Sequence, residues 1–203
     1  DAWEFDRLLN WFKDDKIEIV DNKYIKYIRF SHPSYAQSLK HILVEEGGYI
    51  SQINKKIFSN LLFKLAEKEE AAWIVASVVR DNFNNLPGEG RNKLLLKLSE
   101  NDEAAWIVAL TVVDIFNNLP GGVRNKLLFK LAEKEEAAWD VAWVVADNFN
   151  ELPEEVRNEL LIKLSENEET AGIVAWVVAD NFDKIPEEVR EQLPEKVRRR
   201  WTN

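Results

Sequence analysis

Histidine and carboxylate side chains are the residues of this sequence that could take part in acid–base or metal chemistry near neutral pH. The chain has two histidines, His32 and His41. Two ligands on one helical face need the i, i+4 spacing, and this pair lies further apart, so we do not expect it to bind a metal ion. His32 precedes Pro33 directly. Its simplest role is to cap a helix that starts there or to hydrogen-bond nearby backbone.

Glutamates recur along the sequence in two rows with one constant spacing. The rows are Glu67, Glu100, Glu133, Glu166 and Glu70, Glu103, Glu136, Glu169. Carboxylate pairs can act as general acid and base. These glutamates, however, fall in short polar turns and at helix starts, where the helix dipole stabilises negative charge. We expect solvated, stabilising rows, screened by the parallel row Lys64, Lys97, Lys130 and Lys163. The alternative is that they attract a basic partner.

Tryptophans follow the same spacing. One position holds Trp73, Trp106, Trp139 and Gly172, and the position four residues later holds Ser77, Leu110, Trp143 and Trp176. Stacked repeats bury the faces between them, so we interpret most of this aromatic face as inter-repeat core. The alternative is a set of aromatic anchors for a partner. Ser77, Leu110, Trp143 and Trp176 are the candidate partner-binding residues, because a surface tuned to a ligand would vary at this position. Drift at a half-buried position would give the same variation.

Composition excludes several function classes. With 36 acidic and 27 basic residues the net charge is −9, which argues against a nucleic-acid partner. The absence of cysteine excludes disulfides and thiolate zinc sites. No phosphate-binding P-loop and no nucleophile with a base at a suitable spacing is present, so we do not expect an enzyme. The apolar run 71–79 is far shorter than the roughly 20 residues of a membrane span, which favours a cytoplasmic protein without a membrane partner.

The elements that position these residues are repeats. Phenylalanine and proline both recur at one fixed step, at Phe83, Phe116, Phe149, Phe182 and at Pro87, Pro120, Pro153, Pro186. The step is about 33 residues, and a period of this length is typical of a stacked array. We predict four repeats, at 55–87, 88–120, 121–153 and 154–186, with a partial fifth and a cap at Arg198–Trp201.

Each repeat is predicted to be a helical hairpin. Its first helix has a leucine stripe, as at Leu94, Leu95 and Leu98. Its second helix has small and apolar residues at helical spacing, as at Ala72, Val75 and Val79. The proline is expected to open the next helix at its first position. Each recurring arginine follows a recurring aspartate by ten residues, and we predict that the two pair across the turn between repeats. The predicted pairs are Asp81 with Arg91, Asp114 with Arg124, Asp147 with Arg157 and Asp180 with Arg190.

The N-terminal segment 1–50 differs from the repeats. Apolar spacing over 2–12 predicts a helix, and two alternating runs around Asp21–Asn22 predict a β-hairpin. A second helix is expected from Pro33 to the glycines at Gly47–Gly48. The order helix, hairpin, helix is typical of a winged-helix segment.

The stretch Arg29–Leu39, RFSHPSYAQSL, resembles a motif of STAND-class signalling NTPases, the group that contains NACHT and related proteins. The matching positions are Phe30, His32, Ser34, Tyr35 and Leu39. The resemblance implies that His32 contacts the bound nucleotide in the intact protein. It also implies an upstream ATP- or ADP-binding domain, and the chain, which begins at Asp1 and lacks methionine, is expected to be part of a longer protein. The repeats are similar to the HEAT-like C-terminal arrays of some STAND proteins.

The sequence therefore predicts a mainly α-helical protein: a winged-helix-like segment with one β-hairpin (1–50) followed by a HEAT-like α-solenoid with a C-terminal cap (51–203). We expect a non-catalytic sensor module that binds a protein trigger or an intramolecular NTPase domain. The alternatives are a structural spacer or self-association scaffold, which leaves the oligomeric state open, and a HEAT-like nucleic-acid-processing enzyme, which the acidic composition disfavours.

Overall fold

The computed structural model describes the strands at 17–22 and 25–30 and residues 59 and 62–199. The helices predicted for 2–12 and after Pro33, the boundary at residue 50, and His32 lie outside the described residues. The chain divides into two compact units, 1–94 and 95–203, and the division falls inside one helix. The fold is mainly helical, as the sequence predicts.

Two strands form the described part of the segment 1–50. Strands β1 (Ile17–Asn22) and β2 (Ile25–Phe30) pair antiparallel, with Asn22 opposite Ile25. The chain therefore reverses between Asn22 and Ile25. The turn predicted at Asp21–Asn22 is wrong, since Asp21 pairs with Lys26. The register that pairs Ile17 with Phe30 requires the reversal to lie further along the chain.

The described helices alternate between the first and the second helix of each repeat. They are α1 (Glu69–Asp81), α2 (Gly88–Leu98), α3 (Asp102–Ile115), α4 (Gly121–Ala132), α5 (Glu135–Asp147), α6 (Glu154–Glu166), α7 (Ala171–Asp180), α8 (Glu187–Gln192) and α9 (Glu195–Arg198). Short 3-10 turns follow three of the second helices, at Phe83–Asn85, Phe116–Asn118 and Phe182–Lys184.

The helix boundaries have local chemical causes. Pro120, Pro153 and Pro186 lie at the N-cap with φ of −56°, −53° and −55° and extended ψ, one position before the predicted one. At the other end of a second helix, an asparagine amide donates to the carbonyl four residues earlier. For Asn148 and Val144 this distance is 2.8 Å, and Asn82 and Asn181 repeat the contact. Each bond satisfies a carbonyl that the helix end leaves free.

Leucines of the first helices lie in the core, which confirms the predicted stripe. In the unit 95–203, the six leucines of α4 and α6 are at most 1% exposed: Leu127, Leu128, Leu131, Leu160, Leu161 and Leu164. Helix α5 packs against α3, α4, α6 and α7, and α4 packs against α6. In the unit 1–94, Ala72, Val75 and Val79 of α1 are buried as predicted.

The C-terminal end of the second unit is covered by a short helix. Helix α9 contacts α7, and Leu193 and Val197 are buried. Of the cap predicted at Arg198–Trp201, the structure describes Arg198 and Arg199, and the buried apolar side chains of this segment are Leu193 and Val197. Residues 200–203 lie outside the described part of the chain.

Candidate functional site

Four tryptophans of the second helices are exposed, whereas Trp73 of α1 is half-buried. Trp106 of α3 is 44% exposed, Trp139 and Trp143 of α5 are 50% and 36% exposed, and Trp176 of α7 is 50% exposed. The interpretation of this face as inter-repeat core is therefore wrong for these four residues. Their helices pack through alanine and valine on the neighbouring face, as at Ala142 and Val145, and the tryptophans lie one step around the helix, beyond that contact.

Three of these side chains form one group, which we call the tryptophan cluster: Trp139, Trp143 and Trp176. The ring centroids of Trp139 and Trp143 are 5.8 Å apart with an interplanar angle of 67°. Those of Trp143 and Trp176 are 6.1 Å apart at 49°. Edge-to-face and tilted contacts of this kind are favourable between indole rings. Trp143 therefore links α5 to α7 through its contact with Trp176, and both rings remain partly exposed to solvent.

The other predicted partner-binding residues are less exposed. Leu110 of α3, at the position equivalent to Trp143, is half-buried, and Val113 one turn further on is 44% exposed. Ser77 of α1, in the unit 1–94, is also half-buried. The structure thus brings together Trp143 and Trp176 of the four predicted residues. It adds Trp139, whose position the repeat period had marked but which the core interpretation excluded from the candidate set.

Two glutamates of the first row, Glu100 and Glu133, are engaged by lysines of the following repeat. Lys130 Nζ lies 2.8 Å from Glu100 Oε1, and Lys163 Nζ lies 2.9 Å from Glu133 Oε1. The hydrogen bond and charge of Lys130 lower the pKa of Glu100, and those of Lys163 lower the pKa of Glu133. A carboxyl group with a lowered pKa is a poor proton donor near neutral pH. Glu100 and Glu133 are therefore ion-pair partners of lysines, which agrees with the predicted screening of glutamates by the lysine row.

The recurring arginines lie on phenylalanine rings. The guanidinium carbon is 3.6 Å from the ring centroid for Arg91 and Phe83, and 4.2 Å for Arg157 and Phe149. The remaining pairs repeat the contact: Arg124 with Phe116 and Arg190 with Phe182. The predicted pairing of Arg157 with Asp147 and of Arg190 with Asp180, across the turn between repeats, is therefore wrong in its partner. Phenylalanine shares the same period, and an aromatic face also attracts a cation at short range.

Arg157 and Arg91 also donate hydrogen bonds to backbone carbonyls. Arg157 donates through Nη1 to the carbonyl of Phe149 (3.5 Å) and through Nη2 to the carbonyl of Lys184 (3.3 Å). Arg91 donates to the carbonyl of Phe83 at 3.0 Å. Burial lowers the pKa of Arg91 and Arg157, although an arginine remains charged at neutral pH. These contacts of Arg91 and Arg157 hold the turns that follow α1 and α5.

No metal-binding group of three or more histidine, aspartate or glutamate side chains occurs among residues 17–22, 25–30, 59 and 62–199. Within the same residues, every helix is too short or too polar to cross a lipid bilayer. Comparisons of the chain with protein-family models, with curated proteins and with solved structures find no match.

Proposed function

We propose that this chain is a non-catalytic protein-interaction module built as a HEAT-like α-solenoid of about four helical hairpins. The recurrence of the leucine stripe, the asparagine contact and the arginine–phenylalanine pair at the same positions supports stacked, equivalent units. Both helices of each hairpin contribute buried side chains to the core, and the outer face of the second helices is available for binding.

The observation that carries the proposal is the exposure of the tryptophan cluster. Tryptophan is among the residues that contribute most to protein–protein binding energy. Exposed apolar groups that are contiguous mark interaction sites more often than isolated ones do. Trp139, Trp143 and Trp176 touch one another and leave about half of two rings open to solvent. Trp106 and Val113 add exposed apolar surface on α3.

The regulatory part of the proposal rests on the resemblance at Arg29–Leu39. In this proposal the chain is the cytoplasmic sensor end of a STAND-type switch, and its surface binds a protein trigger or the switch's own NTPase domain. His32 would respond to the ATP or ADP that an upstream domain holds. The alternative, a self-association scaffold, is favoured by the same exposed apolar surface, and the experiment separates the two.

A photo-crosslinking amino acid at position 179 tests the surface. Ala179 is exposed on α7, one turn from Trp176, and Glu159, exposed on α6, provides the matched control position. The full-length protein is irradiated in the cells that make it. We expect a cross-linked protein from position 179 only, and its loss when Trp143 and Trp176 are both changed to alanine.

Equal adducts from positions 179 and 159, or adducts unchanged by the double substitution, would contradict the proposal. Adducts that contain only a second copy of this chain would favour the scaffold alternative.

A further inference from the structure

The second helices of the unit 95–203 carry charge of one sign. Helices α3, α5 and α7 together contain eight acidic residues and no lysine or arginine. The basic residues of this unit lie on the first helices, as at Arg124, Lys126 and Lys130 of α4, and in turns and the C-terminal helix, as at Lys134 and Lys196. The helices that carry the exposed tryptophans therefore contribute only negative charges to this face.

The carboxylates are placed beside the indole rings. Residues three or four apart share a helical face, so each exposed tryptophan has an acidic neighbour one turn away. These neighbours are Glu103 for Trp106, Glu136 for Trp139, Asp140 and Asp147 for Trp143, and Asp180 for Trp176. Each ring is thus available to a ligand group that is also within reach of a carboxylate.

Four of these carboxylates remain available for binding. Glu103, Glu136, Asp147 and Asp180 are exposed and make no ion pair within the described part of the chain. Glu100 and Asp102, by contrast, are held by Lys130 and Lys134. Lys130 and Lys134 therefore neutralise charge in the turn between the helices, whereas Glu103, Glu136, Asp147 and Asp180 make no ion pair among the described residues.

We infer that the ligand of the tryptophan face is a cationic amphipathic peptide segment of a partner protein. Its arginine or lysine side chains lie over the indole faces, whose π electrons attract cations, and reach the adjacent carboxylates. Its apolar side chains cover the edges of the cluster. An acidic segment would meet repulsion at every ring, so charge decides between partners of similar hydrophobicity. The inference rests on the proposed function and specifies its partner.

Three synthetic peptides of about 16 residues test the inference by calorimetry. They share the same leucine positions of an amphipathic helix, and their remaining positions are arginine and lysine, glutamate, or glutamine. We expect the basic peptide to bind the whole chain at least about tenfold more tightly than the glutamine peptide. The glutamate peptide should bind more weakly still. Raising the salt concentration should weaken only the basic complex.

Two sets of variants locate the site. Changing both Trp143 and Trp176 to alanine should weaken the basic peptide at least about tenfold. Glu136→Gln combined with Asp147→Asn should weaken it about threefold to tenfold. The matched control, Glu155→Gln with Glu159→Gln, changes the net charge equally on exposed positions of α6. It should leave the affinity within about twofold, because screened charges act mainly on near neighbours.

Equal affinity for the basic and glutamine peptides would overturn the inference, and so would equal losses in the two carboxylate variants. Tryptophan-dependent binding of the glutamine or glutamate peptide would also overturn it, while leaving the proposed interaction surface in place. A molar mass that rises with concentration for the wild-type chain, but not for Trp143→Ala, would replace the peptide with a second copy. Failure of the proposed function is seen separately, in the cross-linking from position 179.

Discussion

Residues at equivalent positions of the repeats differ in how far they are buried, and the recurring phenylalanines show this difference. Phe83, Phe116 and Phe149 are at most 4% exposed, whereas Phe182, in the last repeat, is 38% exposed. All four have an arginine over the ring. The local contact is therefore the same, and what differs is how far the neighbouring residues cover the ring.

This difference gives a comparison within one chain. Phe149→Ala should lower the free energy of unfolding by about 3 to 5 kcal/mol, because it empties a buried site. Phe182→Ala removes the same atoms from a half-open site and should cost about 1 kcal/mol or less. Urea denaturation of the two variants measures both values. Equal losses would show that the arginine contact, and not burial, dominates at this position.

The exposed tryptophans should contribute little to the free energy of unfolding, in contrast to the buried Phe149. Trp139 is 50% exposed, so Trp139→Ala should cost about 1 kcal/mol or less. Chemical denaturation of the variant beside the wild-type chain measures this loss. A loss above about 3 kcal/mol, the size expected for a core tryptophan, would return the residue to the core and remove it from the candidate surface.

At the scale of helices, the sequence predicted the alternation of first and second helices and the buried leucine stripe, because a strict period marks which side of a helix is apolar. It placed the tryptophans wrongly, because the angle at which neighbouring helices pack decides whether a position beside the stripe is covered. It also gave Arg157 and Arg190 the wrong partner. Spacing places an arginine near both an aspartate and a phenylalanine, and only the path of the turn selects the ring.

The lysine–glutamate pairs between repeats should give a pH-dependent contribution. Lys130 lowers the pKa of Glu100 below its ordinary value of 4.5. The stabilisation is therefore present above about pH 4.5 and is lost as the pH falls through the lowered value. The side chains of Lys130 and Glu100 are 40% and 62% exposed, so the pair should be worth at most about 1 kcal/mol.

Lys130→Gln should thus be slightly less stable than the wild-type chain at neutral pH and equal to it in strong acid. Urea denaturation at both pH values checks the prediction. Lys126, exposed on the same helix, provides the matched control, and Lys126→Gln should show no such dependence. A difference that persists after Glu100 is protonated would mean that Lys130 acts through its alkyl chain and not through its charge.

At the scale of the whole chain, the two parts of the sequence carry different kinds of information. The repeat period predicted the helices between positions 69 and 186. The segment 1–50 has no repeat, and its interpretation depends on the resemblance at Arg29–Leu39. No P-loop accompanies that motif in this sequence. In the proposed switch, nucleotide is therefore held by a separate domain, and His32 adds a contact to it.

Nucleotide binding by this chain alone should accordingly be weak. A titration with ADP should give a Kd of about 1 mM or weaker, because a single histidine lacks the phosphate contacts that a P-loop supplies. Isothermal calorimetry on the wild-type chain and on His32→Ala measures it. Micromolar binding that His32→Ala abolishes would instead place a complete nucleotide site within these 203 residues.

Hydroxyl-radical footprinting of Trp143 and Trp176 tests most directly whether the tryptophan face is a recognition surface. We expect both indoles to be modified readily in the free chain and to be protected when the protein captured through position 179 is bound. Slow modification in the free chain, or rates unchanged by the bound partner, would contradict a recognition role for this face.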